Sequence, residues 1–148
     1  MRLPWPFSLL RKSPPNAPAS RRSGDWGERV AADFLRARGY RILGSNVRFG
    51  PRRELDAVAR SPDSKTLVFV EVKTRKNESF GRPVSAVDSA KRRALARAAA
   101  EYLRRLKRKP PFVRFDVVEV VGSPGDPSPV VRHIENAFDP GPRFRVPW

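Results

Sequence analysis

No cysteine occurs among the 148 residues, which excludes disulfides and thiolate metal sites. A single histidine, His133, argues against a zinc centre built on imidazoles. No apolar run approaches the roughly 20 residues that span a bilayer. The apolar stretch Trp5 to Leu10 is short, has Pro4 and Pro6 beside or within it, and carries no clear cleavage site. It therefore lacks the features of a secretory signal, and no membrane is expected as a partner. There is neither an internal repeat nor a glycine-rich phosphate loop. Acidic residues are scarce as well, with 15 Asp and Glu against 31 Lys and Arg, a formal net charge of +16 and a pI of about 11.5. An excess of that size calls for a polyanionic partner, most simply nucleic acid.

What the chain does contain is centred on Arg53 to Arg75. Glu54 to Ala59 alternates in character, and Thr66 to Lys73 is rich in β-branched and aromatic residues, as strands are. Ser61 to Lys65 between them is turn material, with Pro presetting φ and Asp and Ser bonding their own backbone. A hairpin centred on Asp63 and Ser64 pairs residues whose numbers sum to 127. That places Asp56 opposite Glu71 and Glu54 opposite Lys73, with all four side chains on one face. Val68, Val70 and Val72 take the other. Like charges directly opposite one another destabilise a sheet. Two readings of the charged face stand at this point. One is a solvated edge with an ordinary Lys–Glu pair. The other is a site for a hard divalent cation, which binds through one or two carboxylates together with phosphate and water.

Around the hairpin the pattern is α and β. Residues 1–23, rich in Pro, Ser and Arg, read as a disordered basic extension. They hold Arg2, Arg11, Lys12, Arg21 and Arg22 and no acidic residue, which leaves +11 on the rest of the chain. Trp26, Val30, Phe34 and Leu35 recur at helical spacing, with Asp25 as the expected N-cap and Gly39 as the stop. Glu28 falls in the first turn of that helix, off the apolar stripe, where it favours the helix dipole. Tyr40 to Leu43 and Val47 to Phe49 suggest a strand interrupted at Gly44. Thr74 to Pro83 reads as a polar loop and Ser85 to Lys107 as a long helix. Leu95, Ala99, Tyr102, Leu103 and Leu106 form the apolar stripe of that helix. Lys91, Arg92, Arg93, Arg97, Arg104, Arg105 and Arg108 surround it, which suits a phosphate-facing helix or a merely soluble one. Phe112 to Val121 and Val130 to Ile134 are the last two strands. Asp116 reads as a buried pairing group and His133 as a packed or hydrogen-bonded one. Residues 139–148 read as a tail.

Several of these segments together resemble a known family. They are Gly24-Asp25-Trp26-Gly27-Glu28, Glu54-Leu55-Asp56, Phe69-Val70-Glu71-Val72-Lys73-Thr74-Arg75, Phe80-Gly81, Lys91, Arg114 to Val118 and His133 to Phe138. In that order they resemble the YraN family of bacterial proteins, over residues 24–138. That family in turn resembles the PD-(D/E)XK nuclease superfamily, with a layout like that of archaeal Holliday-junction resolvases. The resemblance implies an α/β, three-layer, restriction-endonuclease-like fold with a central mixed sheet flanked by helices. It also implies a cytoplasmic Mg²⁺- or Mn²⁺-dependent endonuclease, selective for branched or structured DNA. Glu28, Asp56, Glu71 and Lys73 become its catalytic set. Asp56, Glu71 and the Val72 carbonyl become the metal ligands, while Lys73 positions or helps deprotonate the attacking water. Arg75, Lys91, Arg92 and Arg97 become nucleic-acid contacts. The partners expected are DNA first and a second copy of the chain. One departure is Arg53, where the family usually has glycine. The alternatives are a catalytically inactive nucleic-acid-binding module on a nuclease fold, and a basic protein that docks on an RNA assembly.

Overall fold

The computed structural model describes residues 14–77, 87–146 and 148. The expectations for residues 1–13, for the Phe80-Gly81 loop and for a helix start at Ser85 lie outside the described residues. Two helices and five strands follow in the order α1 (Ala19–Ala37), β1 (Arg41–Arg48), β2 (Glu54–Arg60), β3 (Thr66–Arg75), α2 (Ser89–Arg104), β4 (Phe112–Val121) and β5 (Val130–Ile134). The strands form one mixed sheet in sequence order, β1 to β5. Only β3 and β4 run parallel, in register from Thr66↔Phe112 to Arg75↔Val121. A parallel pair needs a crossover, and α2 supplies it.

The alternation of β3 and β4 builds two cores, one on each side of the sheet. Leu67, Phe69, Phe115 and Val117 join Leu95, Ala99, Tyr102 and Leu103 of α2, and Leu106 just beyond it, on one face. Val68, Val70, Val118 and Val120 join Ala31 and Leu35 of α1 on the other, with Trp26, Val30 and Val72 packed around them. Each fully buried Leu, Val or Phe stabilises the fold by about 1.5–3 kcal/mol. The result is the expected three-layer α/β arrangement. Phe144, in the expected tail, packs edge-on against Phe115 at 5.3 Å between ring centroids.

Local details differ from expectation. Helix α1 begins at Ala19, after Pro18 at the cap position, so Asp25 lies inside the helix and does not cap it. It ends as expected before Gly39, whose φ of +88° glycine adopts without steric cost. Helix α2 runs only to Arg104 and is capped by Asp88, whose side chain accepts from the Lys91 N–H at 2.8 Å. The interruption expected at Gly44 is a register shift between Ile42 and Gly44 within a continuous β1. Asp116 and His133 behave as read. The Asp116 carboxylate has no exposure, takes two bonds from Arg114 and one from the Asn136 N–H, and lies 2.7 Å from His133 Nε2. Burial opposes its ionisation, but these donors outweigh burial and hold the carboxyl below the usual aspartate range.

Candidate functional site

The site lies where β2 and β3 part. Their ladder runs from Arg60↔Leu67 to Ala57↔Val70, each pair summing to 127 as the turn predicts. One step further the backbone pairing gives way to a side chain, and the Val72 N–H donates to Asp56 Oδ2 at 2.9 Å. Glu54 is a correction. It is not paired with Lys73, because the β2–β3 ladder ends at Ala57↔Val70, and on the β1 side Glu54 pairs with Arg48 and receives its guanidinium at 3.2 Å. The strand split leaves room for charged groups that a continued ladder would have paired across strands.

Glu71 lies at the centre of that space, 4% exposed. Lys73, two residues along and on the same face, brings Nζ to 3.4 Å of Glu71 Oε1. Lys91 of α2 reaches the same oxygen at 3.5 Å. Burial pushes the Asp56 carboxyl well above its usual range, and the charge of Glu71 pushes it further. The Val72 N–H and the charge of Lys91 work against that rise, and Glu28 adds to it. Burial likewise raises Glu28, opposed by a hydrogen bond from Asn46 and aided by Asp25, Glu54 and Glu71. These mutual influences bring Glu28, Asp56, Glu71 and Lys73 into one neighbourhood.

Helix α1 reaches that neighbourhood because Gly27 has no side chain. A Cβ there would fall 1.9 Å from Thr74 Oγ1 and 3.0 Å from Thr74 Cβ. The missing atom lets the helix rest on β3 one residue before Glu28.

Do these residues fit a divalent cation? Two buried carboxylate oxygens, Glu28 Oε2 and Glu71 Oε2, have no hydrogen-bond partner among the described residues. Buried anionic oxygens of that kind are costly unless something neutralises them, and a hard cation does so. Among the described residues, no group of three or more His, Cys, Asp or Glu side chains is arranged to hold a metal ion. The residues that could serve a cation are Asp56 and Glu71, with backbone, water and phosphate completing the shell, a set that would suit Mg²⁺ better than a closed structural site.

The remaining candidates separate. Lys91 belongs to the centre of the site as well as to the basic helix. Arg75 is turned to β4, with Nε 3.7 Å from the buried Glu119, which also receives Arg132 Nη1 at 3.0 Å. Arg92 donates Nε to the Val87 carbonyl at 3.0 Å and stays on the start of α2. Arg93 and Arg97 are exposed one turn apart. Arg53 is exposed without positive φ, so arginine fits there without backbone strain. Sequence reasoning missed Asn46, a non-glycine residue at φ +49° inside β1. It also missed Arg132, which lies on the face shared by Glu119 and Arg75. Asn is among the few side chains that tolerate this backbone region, and that was the available signal. Away from the site, a cavity of about 500 Å³ beside the β2–β3 turn is lined by Arg38, Tyr40, Arg114 and His133 among others, and by none of the candidate site residues.

Comparison with known proteins gives a consistent result. A family model described as Uncharacterised protein family UPF0102 matches residues 27–120. The chain is similar to UPF0102 protein STH1475 of Symbiobacterium thermophilum, 53% identical over 119 residues, which is 80% of this chain and 98% of that protein. It is similar to a UPF0102 protein of Syntrophotalea carbinolica, 49% identical over 118 residues, covering 78% and 90% of the two chains. A UPF0102 protein of Pelobacter propionicus is 43% identical over 122 residues, covering 82% and 86%.

Proposed function

The chain belongs to the UPF0102 family, the YraN family of the motif resemblance, and from that membership and the site we propose that it is a divalent-cation-dependent endonuclease of the cytoplasm. It hydrolyses phosphodiester bonds in nucleic acid, with branched or otherwise structured DNA as the leading substrate. The observation that carries this reading is the cluster at the strand split: two carboxylates, an adjacent lysine, and buried acidic oxygens without partners.

Asp56 and Glu71, with the Val72 carbonyl, would hold Mg²⁺ or Mn²⁺. When bound, the cation supplies charge neutralisation at the phosphate and acidifies a water molecule. The chain's own residues do the rest. The Val72 N–H fixes the Asp56 carboxylate, leaving its second oxygen for ligation. Lys73, one strand step from Glu71, orients the attacking water. Glu28, held by Asn46 and by the close seating of α1, adds negative charge that favours cation uptake. The basic faces of α2 hold the phosphate backbone.

A specific observation favours a second reading. Lys73 and Lys91 both neutralise Glu71 from within the protein, an arrangement that also suits a module that binds nucleic acid without cutting it. Cleavage assays with Mg²⁺ or Mn²⁺ on duplex, single-stranded, flap and four-way-junction DNA separate the two. Wild type should cut at least one of these, and Asp56→Asn should lose cleavage while keeping DNA affinity. Salt-sensitive binding with no cleavage of any substrate selects the binding module. An Asp56→Asn protein that cuts like wild type overturns the site.

A further inference from the structure

Glu71 is met by two lysines, in a neighbourhood that also holds the Asp56 and Glu28 carboxylates. Both lysines approach the same oxygen, Oε1, while Oε2 is buried without a partner. The two lysines are mounted differently. Lys73 shares its strand with Glu71, and its side chain is 26% exposed. Lys91 comes from another layer, in the first turn of α2, where its backbone N–H is fixed by Asp88. Its side chain is 42% exposed while its ammonium reaches Glu71. A point charge on a four-carbon stem can turn from one partner to another while its backbone stays put.

We propose that Lys91 is a second catalytic lysine, which rests on Glu71 in the free protein and bears on a non-bridging oxygen of the scissile phosphate once nucleic acid and a divalent cation are bound. The inference rests on the nuclease reading above. In the hydrolysis, a water oxygen bonds to phosphorus and the bond from phosphorus to one ester oxygen breaks. That ester oxygen takes a proton, the second proton of the water goes to solvent, and the products are a hydroxyl end and a phosphate monoester end. Negative charge on the non-bridging oxygens grows on the way, and a cation already in place stabilises it most where water is scarce. Lys91 neither gains nor loses an atom in this sequence. Placed on α2, it approaches from the helix layer, whereas Lys73 approaches along the strand.

The test compares full-length wild type, Lys91→Met and Lys91→Arg. Three quantities are read: Mn²⁺ affinity by calorimetry without nucleic acid, DNA affinity without divalent cation, and single-turnover cleavage at saturating Mn²⁺. Removing a positive charge beside the cation should tighten Mn²⁺ binding by roughly tenfold in Lys91→Met. The same variant should cleave roughly a hundredfold more slowly while its DNA affinity stays within about threefold, as for a single phosphate contact. Lys91→Arg should keep the wild-type Mn²⁺ affinity and recover part of the rate. Wild-type cleavage by Lys91→Met overturns the inference, and so does a rate loss accounted for by weaker Mn²⁺ or DNA binding. A wild type that neither binds Mn²⁺ nor cuts overturns the nuclease reading, and this inference with it.

Discussion

Asp116 shows what a buried charge does when it has no part in chemistry. Its carboxylate is enclosed by Arg114, His133 and the Asn136 N–H, and the balance of burial against these donors lowers its pKa. A carboxylate whose folded pKa is depressed contributes stability that is complete above its unfolded pKa, near 3.9. That contribution is lost as pH falls through the folded value. Asp116→Asn should therefore destabilise the protein by about 1–3 kcal/mol at pH 7, because it removes the charge from a buried partner of Arg114, whose half-buried guanidinium keeps Tyr40 and Glu135. The gap between variant and wild type should narrow as pH drops below about 4, where wild type loses the same charge. Urea unfolding of both proteins at pH 7 and pH 3 checks this, and a gap that stays constant would show that the charge is not what matters. At Asp56, in the candidate cluster, the same ingredients have the opposite balance, and burial outweighs the backbone donor. Glu71 has cations at hydrogen-bond range or slightly beyond on one oxygen only, and Asp56 has a single backbone donor. Asp116 is satisfied on both oxygens, and Glu71 is not.

Helix α1 carries two glycines that should respond oppositely to the same substitution. Gly24 has open space around its missing Cβ, so Gly24→Ala should stabilise by about 0.8–1 kcal/mol through helix propensity. Gly27 has Thr74 in the way, so Gly27→Ala should destabilise by about 1–3 kcal/mol through overpacking. Thr74→Ala should recover part of that loss. Thermal unfolding of the two single variants and the double variant decides it, and two changes of the same sign would refute the packing argument. Neither effect could be read from the sequence, where Gly24 precedes the expected N-cap Asp25 and Gly27 is simply a glycine in the first turn. The hairpin was far more legible. Its turn fixes the register, and side-chain alternation then places Glu71 and Lys73 on one face and the valines on the other. What alternation cannot show is that β2 pairs with β3 only from Ala57 to Arg60 while it pairs with β1 along its whole length, which sets Glu54 opposite Arg48. Nor can it show that Lys91, 20 positions beyond Glu71, returns to it across the α2 layer, or that Arg75 turns to Glu119. Those are contacts between elements, set by how layers stack rather than by local pattern.

Across the whole molecule the charge is strongly one-sided, +16 over 148 residues. Nucleic-acid binding should therefore weaken linearly in log K against log salt, with a slope of about −0.9 per phosphate engaged on duplex DNA. Arg97→Ala, on the exposed side of α2, should make the slope shallower by about 0.9 and weaken all sequences alike. Titrations at several salt concentrations with wild type and variant test this, and an unchanged slope would move the interface away from α2. Among the described residues, no helix is long and apolar enough to cross a membrane. The strand split has one further consequence for this molecule. It sets the Glu28, Asp56 and Glu71 carboxylates within a chain of strongly positive net charge, so on the nuclease proposal a free divalent cation would approach against the field of the protein. A bound polyanion cancels that field and adds its own oxygens. Each ligand should then make the other's arrival easier, and thermodynamic reciprocity requires the two enhancements to be equal. On the nuclease proposal, such a cluster would remain idle in the presence of either ligand alone and become competent when the two coincide.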